Sequence, residues 1–300
     1  LDGFQSRLLD AYGTQVIHQA WKPVTVFLNG KYWGHMNLRE RVDRFFIAQF
    51  EGLSLDQADE MDILEANGSV NFGSNKAYRA MLKKIKAGSP ATNPDDLQYI
   101  LDNVDVDNLF EYMALEMFVG NSDIGNIRYY RLHQEGSKWK WIWYDADYGL
   151  YSSKFNSPWS YLKVKGMGEQ KIDNTIFLKL LEHPDYKRKF LEKLADVYKT
   201  FTTEYMTQVL DGVVAEIQPE MKNHWERWGE LNDKAVTSEV PTTIDGAYTY
   251  WESRVNRLYN TLKVRPHRLW DFIKDEFKLT KTEMEELFGP QPDYPDDAVL

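Results

Sequence analysis

The sharpest alternation in the chain runs over residues 138–144, where Trp139, Trp141 and Trp143 fall at every second position. Successive side chains of an extended strand point to opposite faces, so this run predicts a strand with one covered face. A β-rich run over 127–132 precedes it, and His133-Gln134-Glu135-Gly136-Ser137 between the two is turn material. Together they predict a hairpin. An apolar helix should run out at Gly120, leaving the polar loop Asn121-Ser122-Asp123-Ile124-Gly125-Asn126 ahead of that hairpin. A hairpin brings its two ends together, so Asp123 and Asn126 at the entrance and Asp145 and Asp147 at the exit should converge on one rim. Three carboxylates and an amide are hard oxygen donors of the kind that suit Mg²⁺, Mn²⁺ or Ca²⁺.

Elsewhere the pattern alternates between short extended runs and helical faces. Phe4, Leu8, Leu9 and Tyr12 share one face of a helix over residues 1–12 that Gly13 should stop. Residues 24–28 read as a strand, Asn29-Gly30 as a tight hairpin turn and 31–38 as the return strand. A helix should open in the charged run 39–44 and continue to residue 50. Residues 53–92 read as less regular, with turns at Asn67-Gly68, Gly73 and Gly88-Ser89-Pro90 and a basic-faced helix over 78–86. Helices follow over 95–104 and 107–119, each with an Asp placed to cap its start. The second is apolar almost all round apart from Glu111 and Glu116, which predicts burial.

After the hairpin, residues 151–170 are rich in Ser, Gly and Lys and read as a long surface loop. Lys165-Gly166-Met167-Gly168 within it lacks the preceding strand and the spacing of a phosphate-binding loop. The remainder reads as helices over 173–183, 186–201, 203–217, 219–228, 242–264 and 266–277, broken at Pro184, Pro219 and Pro266. Residues 289–300 form a Pro-rich tail or linker.

Composition narrows the function. A net charge of -10 argues against general nucleic-acid binding, which needs clustered Lys and Arg. No run approaches a membrane span. The absence of Cys excludes disulfides and thiolate metal sites, and the six His residues form no zinc-type pair. The 10 Trp and 18 Tyr suit either a sugar-binding surface or plain core packing. Read from the residues alone, Asp123 could equally cap a turn, and Asp145 and Asp147 could be solvated strand ends.

The segments Asn121-Ser122-Asp123-Ile124-Gly125-Asn126 and Trp143-Tyr144-Asp145-Ala146-Asp147-Tyr148-Gly149 resemble the marked segments of the CotH family of atypical, spore-coat-type protein kinases. Further similarity lies in Phe27-Leu28-Asn29-Gly30-Lys31-Tyr32-Trp33-Gly34, in Asn37-Leu38-Arg39-Glu40, and in Arg227-Trp228-Gly229 with Arg265-Pro266. The resemblance implies an α+β, kinase-like fold. Residues 1–40 would be the remainder of a small β-containing lobe with a hinge near 37–40. Residues 41–288 would be a mostly helical lobe carrying the site hairpin 121–149.

It further implies transfer of the ATP γ-phosphate to Ser or Thr of a secreted or surface protein, with ATP and a divalent cation (Mg, Mn or Ca) as cofactors. Asp123 would be the catalytic aspartate, Asn126 and Asp145 would hold metal and nucleotide, and Asp147 would be a second metal ligand or an outer acceptor. The expected location is extracellular, in the cell envelope or at the spore surface of a bacterium. A glycan-binding or glycan-active protein and an inactive kinase-like scaffold stand as alternatives. Neither Lys22 nor Lys31 carries over as the phosphate lysine. The expectation is therefore a domain truncated at its N-terminus, with apolar surface exposed beside Phe4 and Leu8.

Overall fold

The computed structural model describes residues 1–164, 166, 172–228 and 243–296. Helix α1 (Asp2–Tyr12) ends at Gly13, whose φ of 76° lets its N–H close on the Leu9 carbonyl. Strands β1 (Trp21–Leu28) and β2 (Lys31–Arg39) form a separate antiparallel pair. Asn29 and Gly30 both turn through positive φ, 51° and 77°, as a two-residue hairpin with the native strand twist requires. β2 runs through Arg39, paired with Trp21, so helix α2 (Arg44–Phe50) starts later than the charge pattern suggests. Its start is set by Asp43, which accepts from the Phe45 N–H at 2.9 Å.

The largest departure from the sequence reading is in residues 53–92. A 3₁₀ turn (Leu55–Gln57) leads into β3 (Met61–Glu65) and β4 (Ser69–Phe72), then α3 (Lys76–Ala87). β3 pairs antiparallel with β4 on one side and with β5 (Arg128–Leu132) on the other, and β5 pairs with β6 (Lys140–Ile142). The predicted hairpin is therefore half of a four-stranded sheet in the order β4-β3-β5-β6. Met61, Asp62, Ile63 and Leu64 are all buried, so β3 lacks the alternation of a one-faced strand. Asp62 is accommodated by the Ser74 N–H at 2.7 Å and His133 Nε2 at 3.1 Å. One face of the sheet packs with α2 into a small core containing Val42, Phe46, Ile47, Ile63, Tyr130 and Ile142.

Helices α4 (Pro94–Asn103) and α5 (Val106–Val119) are capped by Asn93 and Asp105 respectively. Trp139, Trp141 and Trp143 all lie in the main core, as the alternation predicts. Regular pairing of β6 is short, but bridges from Val104 to Trp139 and from His18 to Trp143 extend the hold on that strand.

Three further expectations are corrected. Residues 151–170 are not simply a surface loop: α6 (Ser157–Lys163) begins with Pro158 in its first turn and buries Tyr161. Residues 165 and 167–171, which include most of the Lys165-Gly166-Met167-Gly168 stretch, lie outside the described residues. After α7 (Thr175–Leu181) and α8 (Pro184–Thr200), two long helices pass straight through their prolines. These are α9 (Thr203–Trp228), with Pro219 inside, and α10 (Ile244–Phe277), with Pro266 inside. A proline leaves the carbonyl four residues earlier without its helical partner. For Pro266 that is the Leu262 carbonyl, which accepts instead from the Thr203 hydroxyl at 3.3 Å.

Third, Phe4 and Leu8 are themselves buried, at 3% and 1% exposure, and the apolar surface beside them takes the form of a cavity of about 410 Å³ that Phe4 lines together with Trp21, Leu150, Leu210 and Val213. Exposed apolar side chains lie at Leu1 and Tyr151 on the rim of that cavity and at Phe27, Leu28 and Leu38 on the hairpin. That hairpin is tied to α9 by the Trp228 indole, which donates to the Trp33 carbonyl at 2.6 Å.

A last helix, α11 (Lys281–Phe288), carries a capping box between Thr280 and Glu283 that the sequence reading passed over. Beyond it, residues 289–296 are irregular but docked. Trp270 Nε1 donates to the Gly289 carbonyl at 3.1 Å, and His267 Nδ1 bonds the Pro292 carbonyl at 2.7 Å. Among the described residues no helix is long and apolar enough to cross a membrane.

Candidate functional site

Gly120 ends α5 in the left-handed conformation, with φ 66°, and turns the chain sharply into the polar loop. Asn121, 1% exposed, folds that loop by accepting from the Asp123 N–H at 3.1 Å. The Asp123 carbonyl then accepts from the Asn126 N–H at 3.1 Å. On the far side of the hairpin, Asp145 sits at φ 51°, a conformation Asp tolerates better than most side chains. The Asn126 amide donates directly to the Asp145 carboxylate. The loop and the end of the hairpin thus meet, as the topology requires.

Asp147 reaches the surface beside them. Its carboxyl is raised above the ordinary carboxylate range, first by partial removal from water and then by the like charges of Asp145, Asp2 and Asp123. Repulsion contributes, but burial is the larger cause. The carboxylates do not close into one protein-only cage. Among the described residues, no group of three or more His, Asp or Glu side chains stands close enough to hold a metal ion. What the fold brings together is the Asn126–Asp145 pair, with Asp123 and Asp147 within electrostatic reach.

Two residues to which the sequence alone assigns no role at the site support this rim. Gln5 on α1 is 1% exposed and donates through Nε2 to the Ala146 carbonyl at 2.7 Å and the Gly149 carbonyl at 2.9 Å. It fixes the turn that carries Asp145 and Asp147. The only sequence sign was a polar residue next to the apolar face of α1. Leu150 N–H, at 2.6 Å from the Val119 carbonyl, ties the same turn to the end of α5.

Glu116 is the second, fully buried in the last turn of α5 and accepting from the Tyr161 hydroxyl at 2.8 Å. Burial pushes its carboxyl from 4.5 up to about 7; neighbouring Tyr161, Tyr112 and Asn121 oppose the rise, and Asp123 adds to it. Between those two pH values the folded chain holds a proton that the unfolded chain has released, so stability falls as pH rises through the window. The full difference is about 3 kcal/mol. Glu116→Gln should remove it: in urea unfolding at pH 5 and pH 8, the wild type should lose most of that amount relative to the variant. Parallel pH profiles for the two proteins would show that Glu116 does not carry the proton.

A cleft of about 370 Å³ opens on the other side of Tyr144, lined in part by Glu40, Val42, Arg128 and Tyr144. Arg128 lies 3.9 Å over the Tyr144 ring and donates to the Val42 carbonyl at 2.8 Å, which holds residues 40–43 against the strand leading to Asp145. Lys22 and Lys31 are exposed on the hairpin. The aromatic surplus goes mainly into packing: among the described tryptophans only Trp159 is exposed.

These features define an α+β protein, mostly helical, with two small antiparallel sheets and an acid–amide pair where a buried helix meets a hairpin. The family model described as CotH kinase protein matches residues 2–269, and the chain belongs to that family. No curated protein matches it.

Proposed function

We propose that the chain is a protein kinase transferring the γ-phosphate of ATP to Ser or Thr of a secreted or surface protein of a bacterium. In this reading residues 1–40 act as the smaller lobe and 41–288 as the larger, with the nucleotide base in the cleft beside Tyr144. The observation that carries it is the Asn126–Asp145 contact, which gathers oxygen donors from both ends of the hairpin. One or two carboxylates completed by substrate phosphates are what Mg²⁺, and Mn²⁺ by analogy, ordinarily use, whereas Ca²⁺ asks for six to eight oxygens. The Asp145 and Asn126 oxygens, with Asp147 as a further acceptor, therefore fit Mg²⁺ or Mn²⁺ with ATP better than Ca²⁺. Bound there, the cation would supply neutralisation of the charge on the transferring phosphoryl group.

The chain's own part is positioning and proton handling. Asn126 donates to one Asp145 oxygen and so fixes the direction of the other. Gln5 holds the backbone beneath Asp145 and Asp147. Asp123, in a loop shaped by the buried Asn121, would orient the acceptor hydroxyl and take its proton.

The test is transfer of labelled γ-phosphate from Mg- or Mn-ATP to a Ser-containing acceptor. Asp123→Asn should slow transfer by about 10²- to 10⁴-fold while leaving nucleotide affinity unchanged. An unaltered rate in that variant would remove Asp123 from the role of base. No transfer by the wild type, together with normal Mg-ATP binding, would favour the scaffold reading.

A further inference from the structure

We propose that a cavity between residues 151–154, α10 and the docked tail binds a phosphomonoester carried on a polypeptide, as in phosphoserine. The cavity measures about 590 Å³. Lys154, Arg257 and Arg268 line it, together with the hydroxyls of Ser152, Ser153 and Ser253, and its lining among the described residues has no Asp or Glu. In a chain of net charge -10, three cations around one hollow with no carboxylate among its described lining concentrate positive potential where the protein as a whole repels anions.

The partners of these cations point the same way. Arg257 lies over the Tyr151 ring at 4.8 Å and Arg268 over the Tyr294 ring at 5.8 Å. Rings orient guanidinium groups but neutralise no charge. The Arg268 Nε is buried and has no hydrogen-bond partner among the described residues. The Ser152 hydroxyl oxygen already accepts from the Lys154 N–H at 3.2 Å, which leaves its own proton to donate.

A phosphomonoester matches this donor set in charge and number. It carries about -1.5 to -2 at neutral pH and three acceptor oxygens, and guanidinium groups bind it through paired N–H bonds. A carboxylate offers one charge and two oxygens to three cations. The segment on the wall also connects to the acidic rim: residues 151–154 follow Asp147 closely and run into Phe155, whose carbonyl Arg265 holds at 2.6 Å. A phosphorylated polypeptide bound there would lie alongside the candidate site. The cavity stands apart from the kinase reading, because binding to it needs neither nucleotide nor metal.

Calorimetry on the whole chain, without nucleotide or divalent cation, tests this. The probes are a short phosphoserine peptide, the same peptide unphosphorylated, and inorganic phosphate. The phosphopeptide should bind at least tenfold more tightly than its unphosphorylated form, and its affinity should fall as salt is raised. Arg257→Gln combined with Arg268→Gln should weaken it at least tenfold. Arg257→Gln alone, at an exposed position, should weaken it in the same direction with an unchanged melting temperature. Equal binding of the two peptides, or unaltered phosphopeptide binding in the double variant, would overturn the proposal. Binding of inorganic phosphate without the phosphopeptide would overturn its polypeptide source.

Discussion

Replacing Arg265 with leucine is expected to lower folding stability by about 3–5 kcal/mol. Arg265 is fully buried in α10, yet none of its partners among the described residues is a carboxylate. It donates to the Met117 carbonyl at 2.8 Å, the Phe118 carbonyl at 2.9 Å, the Phe155 carbonyl at 2.6 Å and the Ser157 hydroxyl at 2.6 Å. Met117 and Phe118 lie in the last turn of α5, where helical carbonyls have no intrahelical partner and the helix dipole is negative. Leucine would leave several buried acceptors unsatisfied at once. Lysine should restore only part of the loss, since one ammonium cannot reproduce a planar fork reaching both α5 and residues 155–157. Gly120 makes a related prediction, because a Cβ there would stand 2.9 Å from Arg265 Nη2 at a backbone φ of 66°. Urea unfolding of Arg265→Leu reads the effect. A loss below about 1 kcal/mol, the worth of one ordinary hydrogen bond, would mean that the α5 end finds other donors.

Asp145→Ala is expected to reduce γ-phosphate transfer by at least about 10²- to 10³-fold and to weaken Mg-ATP binding with it. In the proposed role, loss of this carboxylate removes several kcal/mol of charge stabilisation from the cation and phosphates, at about 1.4 kcal/mol per tenfold. The substitution also releases the Asn126 amide and removes one of the charges that raise Asp147. Alanine at φ 51° adds a backbone cost of about 1–2 kcal/mol. Asp145→Asn, which keeps a side chain that tolerates this conformation, separates charge from backbone. If charge is the cause, both variants lose transfer and only the alanine form loses much stability. Retained transfer and nucleotide affinity in Asp145→Asn would exclude Asp145 from metal binding.

Local patterns in the chain determined a good deal of this structure. The alternating Trp139, Trp141 and Trp143, the Asn29-Gly30 turn and the glycines ending α1 and α5 each encode geometry within a few residues. Period-2 burial and positive φ need no distant partner to be read. The resemblance to the family, carried on Asp123, Asn126, Asp145 and Asp147, was likewise visible in short segments. Tertiary structure alone decided what depends on residues far apart in the chain. β3 reads as irregular until β4 and β5 pair with its two edges and the cores cover its faces, Leu64 in one and Met61 and Ile63 in the other. Pro266 breaks a helix on paper, but Thr203 takes up the carbonyl it frees. Gln5 is an ordinary polar letter, and Arg265 only part of a family-like pair, until burial leaves the carbonyls of 146, 149, 117 and 118 with no water to bond. That demand for a partner inside a dry core is set by what packs around a residue, and no spacing along the chain records it.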